Sequence, residues 1–202
     1  MLVTASRKIL FEPIDAQNAR LLYSSMLNET GILYRITGVL YIHGWSIDSA
    51  IVKTETLGGV DDIFSIRKLD AGQMDQAQLE RIENDMDMLL RGEIHMSEYL
   101  SSYPDRIQSL VLSMREDSET RLEVEIAEDP ATASIFLQTK DRPGILFMIT
   151  QILFLLDYDI IKFEANTDQG VARDDFEIRK NTGGLITEQD RKQLITVLRN
   201  NL

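Results

Sequence analysis

Alternating apolar and polar positions mark strands in this chain, and apolar positions three and four apart mark helices. The alternation predicts a short strand over Ile9–Glu12, a polar loop over 13–18 and a second strand over Arg20–Met26. Ile32, Leu33, Ile36, Val39, Leu40 and Tyr41 then predict a helix with a wide buried stripe, ended by Gly44 as a left-handed cap. Strands are expected over Trp45–Lys53 and Val60–Arg67, joined by a hairpin at Gly58-Gly59. Asp75 is placed to cap a last helix, Gln76–Arg91, whose inward positions are Leu79, Ile82, Met86 and Leu89.

The same order then returns. Strands are expected over Leu122–Ile126 and Ser134–Thr139, and a helix from Gly144 to Leu156 carries Ile145, Leu146, Ile149, Ile152, Leu153 and Leu156 inward. Strands over Tyr158–Thr167 and Val171–Arg179 flank a turn at Asp168-Gln169-Gly170. Thr187 and Asp190 form a capping-box pattern before a helix over Glu188–Asn200. Asp157 stands where the first half has Gly44, and it tolerates the left-handed cap less well.

The two halves are copies. Sliding the sequence by 113 residues places Gly31 on Gly144 and gives ten identities between 31–62 and 144–175 without a gap. One inserted residue then aligns Phe64-Ser65-Ile66-Arg67-Lys68 with Phe176-Glu177-Ile178-Arg179-Lys180. The expected division is a domain over 1–91, a helical connector over 92–118 and a second domain over 119–202. Pro104 can start a connector helix with Ile107, Leu110, Val111 and Met114 on one packed face.

The element order permutes the split β-α-β arrangement, with its last strand moved to the front. The expected class is therefore α+β, with two ferredoxin-like domains. Each has an antiparallel four-stranded sheet and its helices on one face. A short loop favours a local hairpin between each leading strand and the next, at low closure entropy. Exchange of the leading strands between copies is the alternative. The width of the apolar stripe on both first helices, with Phe147, Phe154 and Leu155 beside the inward positions, calls for cover on more than one side. That cover comes from the other copy or from a homodimer.

Candidate chemistry centres on Thr139-Lys140-Asp141-Arg142-Pro143-Gly144-Ile145-Leu146. Arg142 precedes a proline and is held extended. Gly144 allows a tight turn and a close approach. A short turn opening a helix leaves backbone N–H groups unpaired at the positive end of its dipole, which suits a carboxylate. The alternatives are an unliganded strand-to-helix turn and a structural N-cap role for Asp141.

Charge narrows the classes. Acidic residues outnumber basic ones 33 to 21, for a net charge of −12, which disfavours nucleic acid and anionic membrane surfaces. No apolar run reaches the roughly 20 residues needed to cross a bilayer, and the first ten residues lack the apolar core of a signal peptide. A soluble cytoplasmic protein is the expectation. The absence of cysteine excludes disulfides and thiolate chemistry. The two histidines, His43 and His95, are far apart, and no zinc or phosphate-loop pattern occurs. Asp61-Asp62 and Asp174-Asp175 could hold Mg²⁺, but their repetition at the same strand start points to a shared structural or surface role. No cofactor, metal or catalytic residue is expected.

Asp141-Arg142-Pro143-Gly144-Ile145-Leu146, repeated at Asn28-Glu29-Thr30-Gly31-Ile32-Leu33 within a duplicated ferredoxin-like pattern, resembles the tandem ACT domain family. The likeness covers nearly the whole chain and is strongest for the ACT pair of bacterial uridylyltransferases. The resemblance implies sensing of small molecules, usually amino acids, at interfaces between ACT domains, with glutamine the first candidate. It carries ligand contacts to Asp141, Gly144, Ile145 and Asp159 in the second copy. In the first copy it carries them to Asn28, Gly31, Ile32 and Ser46. The first copy lacks the Arg-Pro pair, so Asn28 offers a neutral donor and acceptor. Asp141 and Asp159 suit an ammonium and repel a carboxylate. The catalytic domains of uridylyltransferases have no counterpart here, so the expectation is a non-enzymatic regulator. It would sense an amino acid and signal to a partner enzyme, as a homodimer or an intramolecular ACT pair. The alternatives are a ligand-free interaction module and the regulatory part of a uridylyltransferase-like system.

Overall fold

The computed structural model describes residues 7–53, 59–114 and 119–202. The first copy contains β1 (Arg7–Pro13), β2 (Asn18–Ser25), α1 (Ile32–Ile42), β3 (Trp45–Lys53), β4 (Val60–Lys68) and α2 (Gln76–Leu90). The connector contains α3 (Met96–Ser101) and α4 (Pro104–Met114). The second copy contains β5 (Arg121–Ile126), β6 (Thr132–Lys140), α5 (Ile145–Leu155), β7 (Tyr158–Asp168), β8 (Val171–Lys180) and α6 (Glu188–Asn201). The expected turn at Gly58-Gly59 lies partly outside the described residues.

The eight strands form one sheet, in the order β1-β2-β4-β3-β7-β8-β6-β5. Every pairing is antiparallel. The leading strands pair locally, β1 with β2 and β5 with β6, as loop-closure entropy favours. Two four-stranded sheets were expected. They merge because β3 and β7 pair along their inner edges, from Ser49↔Asn166 to Lys53↔Lys162. That pairing satisfies two rows of backbone groups that would otherwise face solvent. Ile51 pairs with Glu164, its own equivalent at the 113-residue offset, so a pseudo-two-fold axis passes between them.

The helices cover one face of the sheet. α1 packs on α5 at the centre, with α2 and α6 outside them. The core joins Leu21, Ile36, Leu40, Phe64 and Ile82 to Leu153, Phe163, Phe176 and Leu194 without a break between copies. On the open face Ile51 and Ile63 remain 48% and 44% exposed. The apolar sides of both central helices are thus covered within the chain, although Leu155 is 70% exposed.

Gly44 takes φ 78, as its cap position requires, and Asp157 takes φ 65 at the equivalent place. Asp157 is held there by Asn181, which donates from its backbone to Asp157 O and from its side chain to Oδ1. Gln169 and Gly170 both have positive φ, the requirement of a tight two-residue hairpin. Asp75 caps α2 through the N–H of Gln78, and Thr187 and Asp190 form a complete capping box on α6. Replacing Thr187 by alanine is expected to cost about 1 kcal/mol, measured by chemical denaturation.

The connector differs from the expectation in two respects. α3 was not anticipated; it is only six residues long, yet it buries Met96 and Tyr99. On α4 only Leu110 is buried, while Val111 is turned out and is 41% exposed.

Candidate functional site

Both central helices begin at a left-handed glycine, Gly31 with φ 81 and Gly144 with φ 85, and neither N-terminus has a side-chain cap. The expected structural alternative for Asp141, an N-cap, is therefore not realised. The outer helices, by contrast, are capped by Asp75 and Thr187. Within the turns, however, the N–H groups of Ile32 and Ile145, expected to be unpaired, donate to Glu29 O at 3.3 Å and to Arg142 O at 3.0 Å. Only the later first-turn N–H groups are left to whatever faces these N-termini.

What faces them belongs to the other copy. The hydroxyls of Thr37 and Thr150, equivalent residues, meet at 2.9 Å, and Tyr34 stacks on its equivalent Phe147 with centroids 5.7 Å apart. This crossing sets each glycine turn against the start of the other copy's third strand. Both strands carry a bulge there, between Ile47 and Ser49 in β3 and between Ile160 and Lys162 in β7. A bulge bends the strand and re-aims its side chains.

Two composite clefts result. Cleft one gathers Asn28, Gly31 and Ile32 with Asp159, and cleft two gathers Asp141, Gly144 and Ile145 with Ser46. All eight positions carried over by resemblance line one cleft or the other, but the grouping is crossed. Ser46 serves the second loop and Asp159 serves the first. Short-range sequence spacing cannot show this, because it follows from the pairing of β3 with β7.

In cleft one, Asn28 Nδ2 donates to Asp159 Oδ2 at 3.3 Å, and Arg179 Nη2 donates to the same oxygen at 2.9 Å. Thr30 Oγ1 donates to Asn181 Oδ1 at 2.8 Å. In cleft two, Arg67 holds Asp48 through two hydrogen bonds of 3.2 and 3.1 Å. Asp141 lies near this pair, and burial together with the Asp48 charge raises its pKa. An arginine already engaged by a carboxylate thus lies beside each cleft, Arg179 by the first and Arg67 by the second.

The glycines are in close contact with protein. A Cβ on Gly31 would lie 2.7 Å from the Phe154 ring, and one on Gly144 would lie 2.6 Å from Leu110 and 2.8 Å from Tyr41. The remaining cavities are small, about 30 Å³ in cleft one and about 20 Å³ in cleft two. Each has room for roughly one water molecule.

Two functional groups escaped sequence reasoning. Arg142 is only 3% exposed; it donates to Ser113 O at 3.2 Å and to Leu202 O at 2.7 Å, tying α4 and the end of α6 to the Gly144 turn. The sequence indicated its extended backbone and nothing of its burial. Asp62 lines cleft one and is 3% exposed. The ungapped alignment set Asp61 on Asp174, but the alternation of β4 and β8 pairs Asp62 with Asp174, both buried, and leaves Asp61 and Asp175 exposed. The inserted residue therefore falls before Asp61, a shift that the neighbouring match of Phe64 to Phe176 could have signalled. Burial pushes both Asp62 and Asp174 up to about 7.

A wider apolar groove of about 780 Å³ runs beside α1 and α5, lined by Tyr34, Leu100, Ile107, Val111, Leu112 and Leu155. Among the described residues, no group of three or more His, Asp or Glu side chains is placed to hold a metal ion. No helix among them is long and apolar enough to cross a membrane.

No family model matches the chain. It is 22% identical over 175 residues to the bifunctional uridylyltransferase/uridylyl-removing enzyme of Cereibacter sphaeroides; the alignment covers 85% of this chain and 18% of that enzyme. Among solved structures it is similar to aspartate kinase from Synechocystis, with a TM-score of 0.47 and 14% identity, over 91% of this chain and 26% of that one. The duplicated ferredoxin-like architecture with glycine turns at its centre is the fold that the resemblance to tandem ACT domains implies, and in sequence the chain is similar to a short part of a uridylyltransferase.

Proposed function

We propose that the chain is a regulatory ACT-like module that binds a small amino acid in cleft one and signals its presence to a partner enzyme. The observation that carries this reading is the contact of Asn28 with Asp159 across the copies, with Arg179 of the second copy on the same oxygen, beside the α1 turn that no side chain caps. The ligand carboxylate would take the first-turn N–H groups that follow Ile32, with Arg179 nearby, and its ammonium the acidic side of the cavity. Glutamine is the first candidate, by resemblance, with a role in nitrogen or amino-acid metabolism.

The cavity of about 30 Å³ is far smaller than the roughly 300 Å³ of small ligand pockets. A ligand therefore parts the Asn28 loop from β7, and its binding favours an opened arrangement of the two copies. That change at the interface is the signal.

Titration calorimetry with each of the twenty amino acids at millimolar concentration tests this. Asn28→Ala is expected to weaken binding about tenfold, or roughly 1.4 kcal/mol, while leaving the unfolding midpoint nearly unchanged. Absence of heat and of thermal shift with every amino acid would remove the sensor reading. The groove bearing Leu112 and Leu155, 55% and 70% exposed, would then favour a ligand-free docking module.

A further inference from the structure

Asp62, on β4, lines cleft one together with the Gly31 turn, and its Oδ1 is buried and without a hydrogen-bond partner. The side chain receives one hydrogen bond, from the Lys53 backbone N–H. Buried polar atoms are almost always satisfied, so an orphaned oxygen on a residue lining a cavity calls for a partner from outside the chain. The cavity wall supports a cationic one. Glu29, Asp62 and Asp159 line it, and among the described lining residues there is no Lys, Arg or His.

The nearby charges are already engaged. Arg7 pairs with Glu29, and Arg35 donates to Thr30 O behind the turn. Arg179 and Asn28 satisfy Asp159, which makes it the weaker choice for a new cation. Tyr23, opposite Asp62 on β2, and Tyr158, at the start of β7, are neutral near pH 7. Asp61 faces the other side of the sheet. Cleft two lacks this arrangement: Asp174 is not among the residues lining its cavity, and Leu137 stands where the first copy has Tyr23.

We infer that Asp62 is the ammonium-binding group of cleft one, accepting at Oδ1 the cationic head of a small primary amine or amino acid. This rests on the reading of cleft one as the ligand site and names the group that recognises the ligand's positive end. Burial keeps Asp62 largely protonated below pH 7, since its pKa is pushed up to about 7. Docking a cation breaks the carboxyl O–H bond; the proton leaves to solvent and the carboxylate stays against the ammonium. Binding therefore releases a proton and tightens as pH rises, levelling off above pH 7.

The test is calorimetry with L-glutamine and with methylammonium chloride at pH 6, 7 and 8, in two buffers of different ionisation enthalpy. Wild type is expected to tighten about tenfold from pH 6 to pH 8, and to release close to one proton on binding at pH 6 but little at pH 8. Asp62→Asn should lose at least tenfold at pH 8 together with the pH dependence, and Asp174→Asn should keep both. Circular dichroism at pH 8 checks the fold of each variant. If Asp62→Asn binds like wild type while Asn28→Ala is weakened, the role of Asp62 is overturned and cleft one survives as the ligand site. Loss in Asp62→Asn with none in Asn28→Ala upholds Asp62 and removes the Asn28-centred reading. No binding of either probe by wild type overturns both.

Discussion

Asp174→Asn should stabilise the protein by about 3–4 kcal/mol at pH 8 and by almost nothing near pH 4. Asp174 is 4% exposed, and burial, with Asp141 and Asp175 adding like charge, raises its pKa from 3.8 to about 7. The folded state therefore holds the proton more tightly than the unfolded chain. Below pH 3.8 the group is neutral in both states and contributes nothing. As pH rises from 4 to 7 the unfolded chain ionises freely while the fold resists, so stability falls, and the penalty is constant above 7. Asparagine keeps the shape without the charge and removes that penalty. Urea denaturation of both proteins at pH 4, 6 and 8 measures it. An advantage that is the same at every pH would mean that the buried carboxyl ionises in the fold without cost.

Gly144→Ala should destabilise by roughly 2–5 kcal/mol. About 1–2 kcal/mol comes from a left-handed backbone at φ 85, and the rest from forcing a Cβ against Leu110 and Tyr41. Gly92→Ala separates the two parts. Gly92 also has positive φ, 70, but nothing lies within 4 Å of its added Cβ. It should show only the backbone cost. Equal losses at the two sites, by denaturant midpoint, would show that α4 and Tyr41 yield without strain.

The elements were legible because duplication wrote them twice. The stripe of α1 and that of α5 repeat at one offset, and each hairpin and cap carries its own local chemistry, as at Asp75 and Thr187. Whatever depends on two distant segments meeting was not legible. Ile51 and Glu164 give no sign that they pair, so the merging of two sheets and the crossing of the clefts stayed hidden. α3 is shorter than the windows in which helical periodicity can be read. Val111 has the spacing of an inward residue, but it is turned out into the groove. Asp62 was read only as a member of an acidic pair, because alternation says that one of two neighbours is inside and only the register says which.

The crossed clefts free the two sites from each other. In a symmetric dimer of identical chains, each two-fold interface repeats itself, and every substitution enters both sites at once. Here a change at Asn28 enters cleft one alone, and a change at Ser46 enters cleft two alone. One copy's loop can drift only in company with the other copy's strand. Asn28 with Asp159 on one side, and Asp141 with Ser46 on the other, are two partnerships within one chain. Duplication within one chain thus makes the two clefts separately tunable.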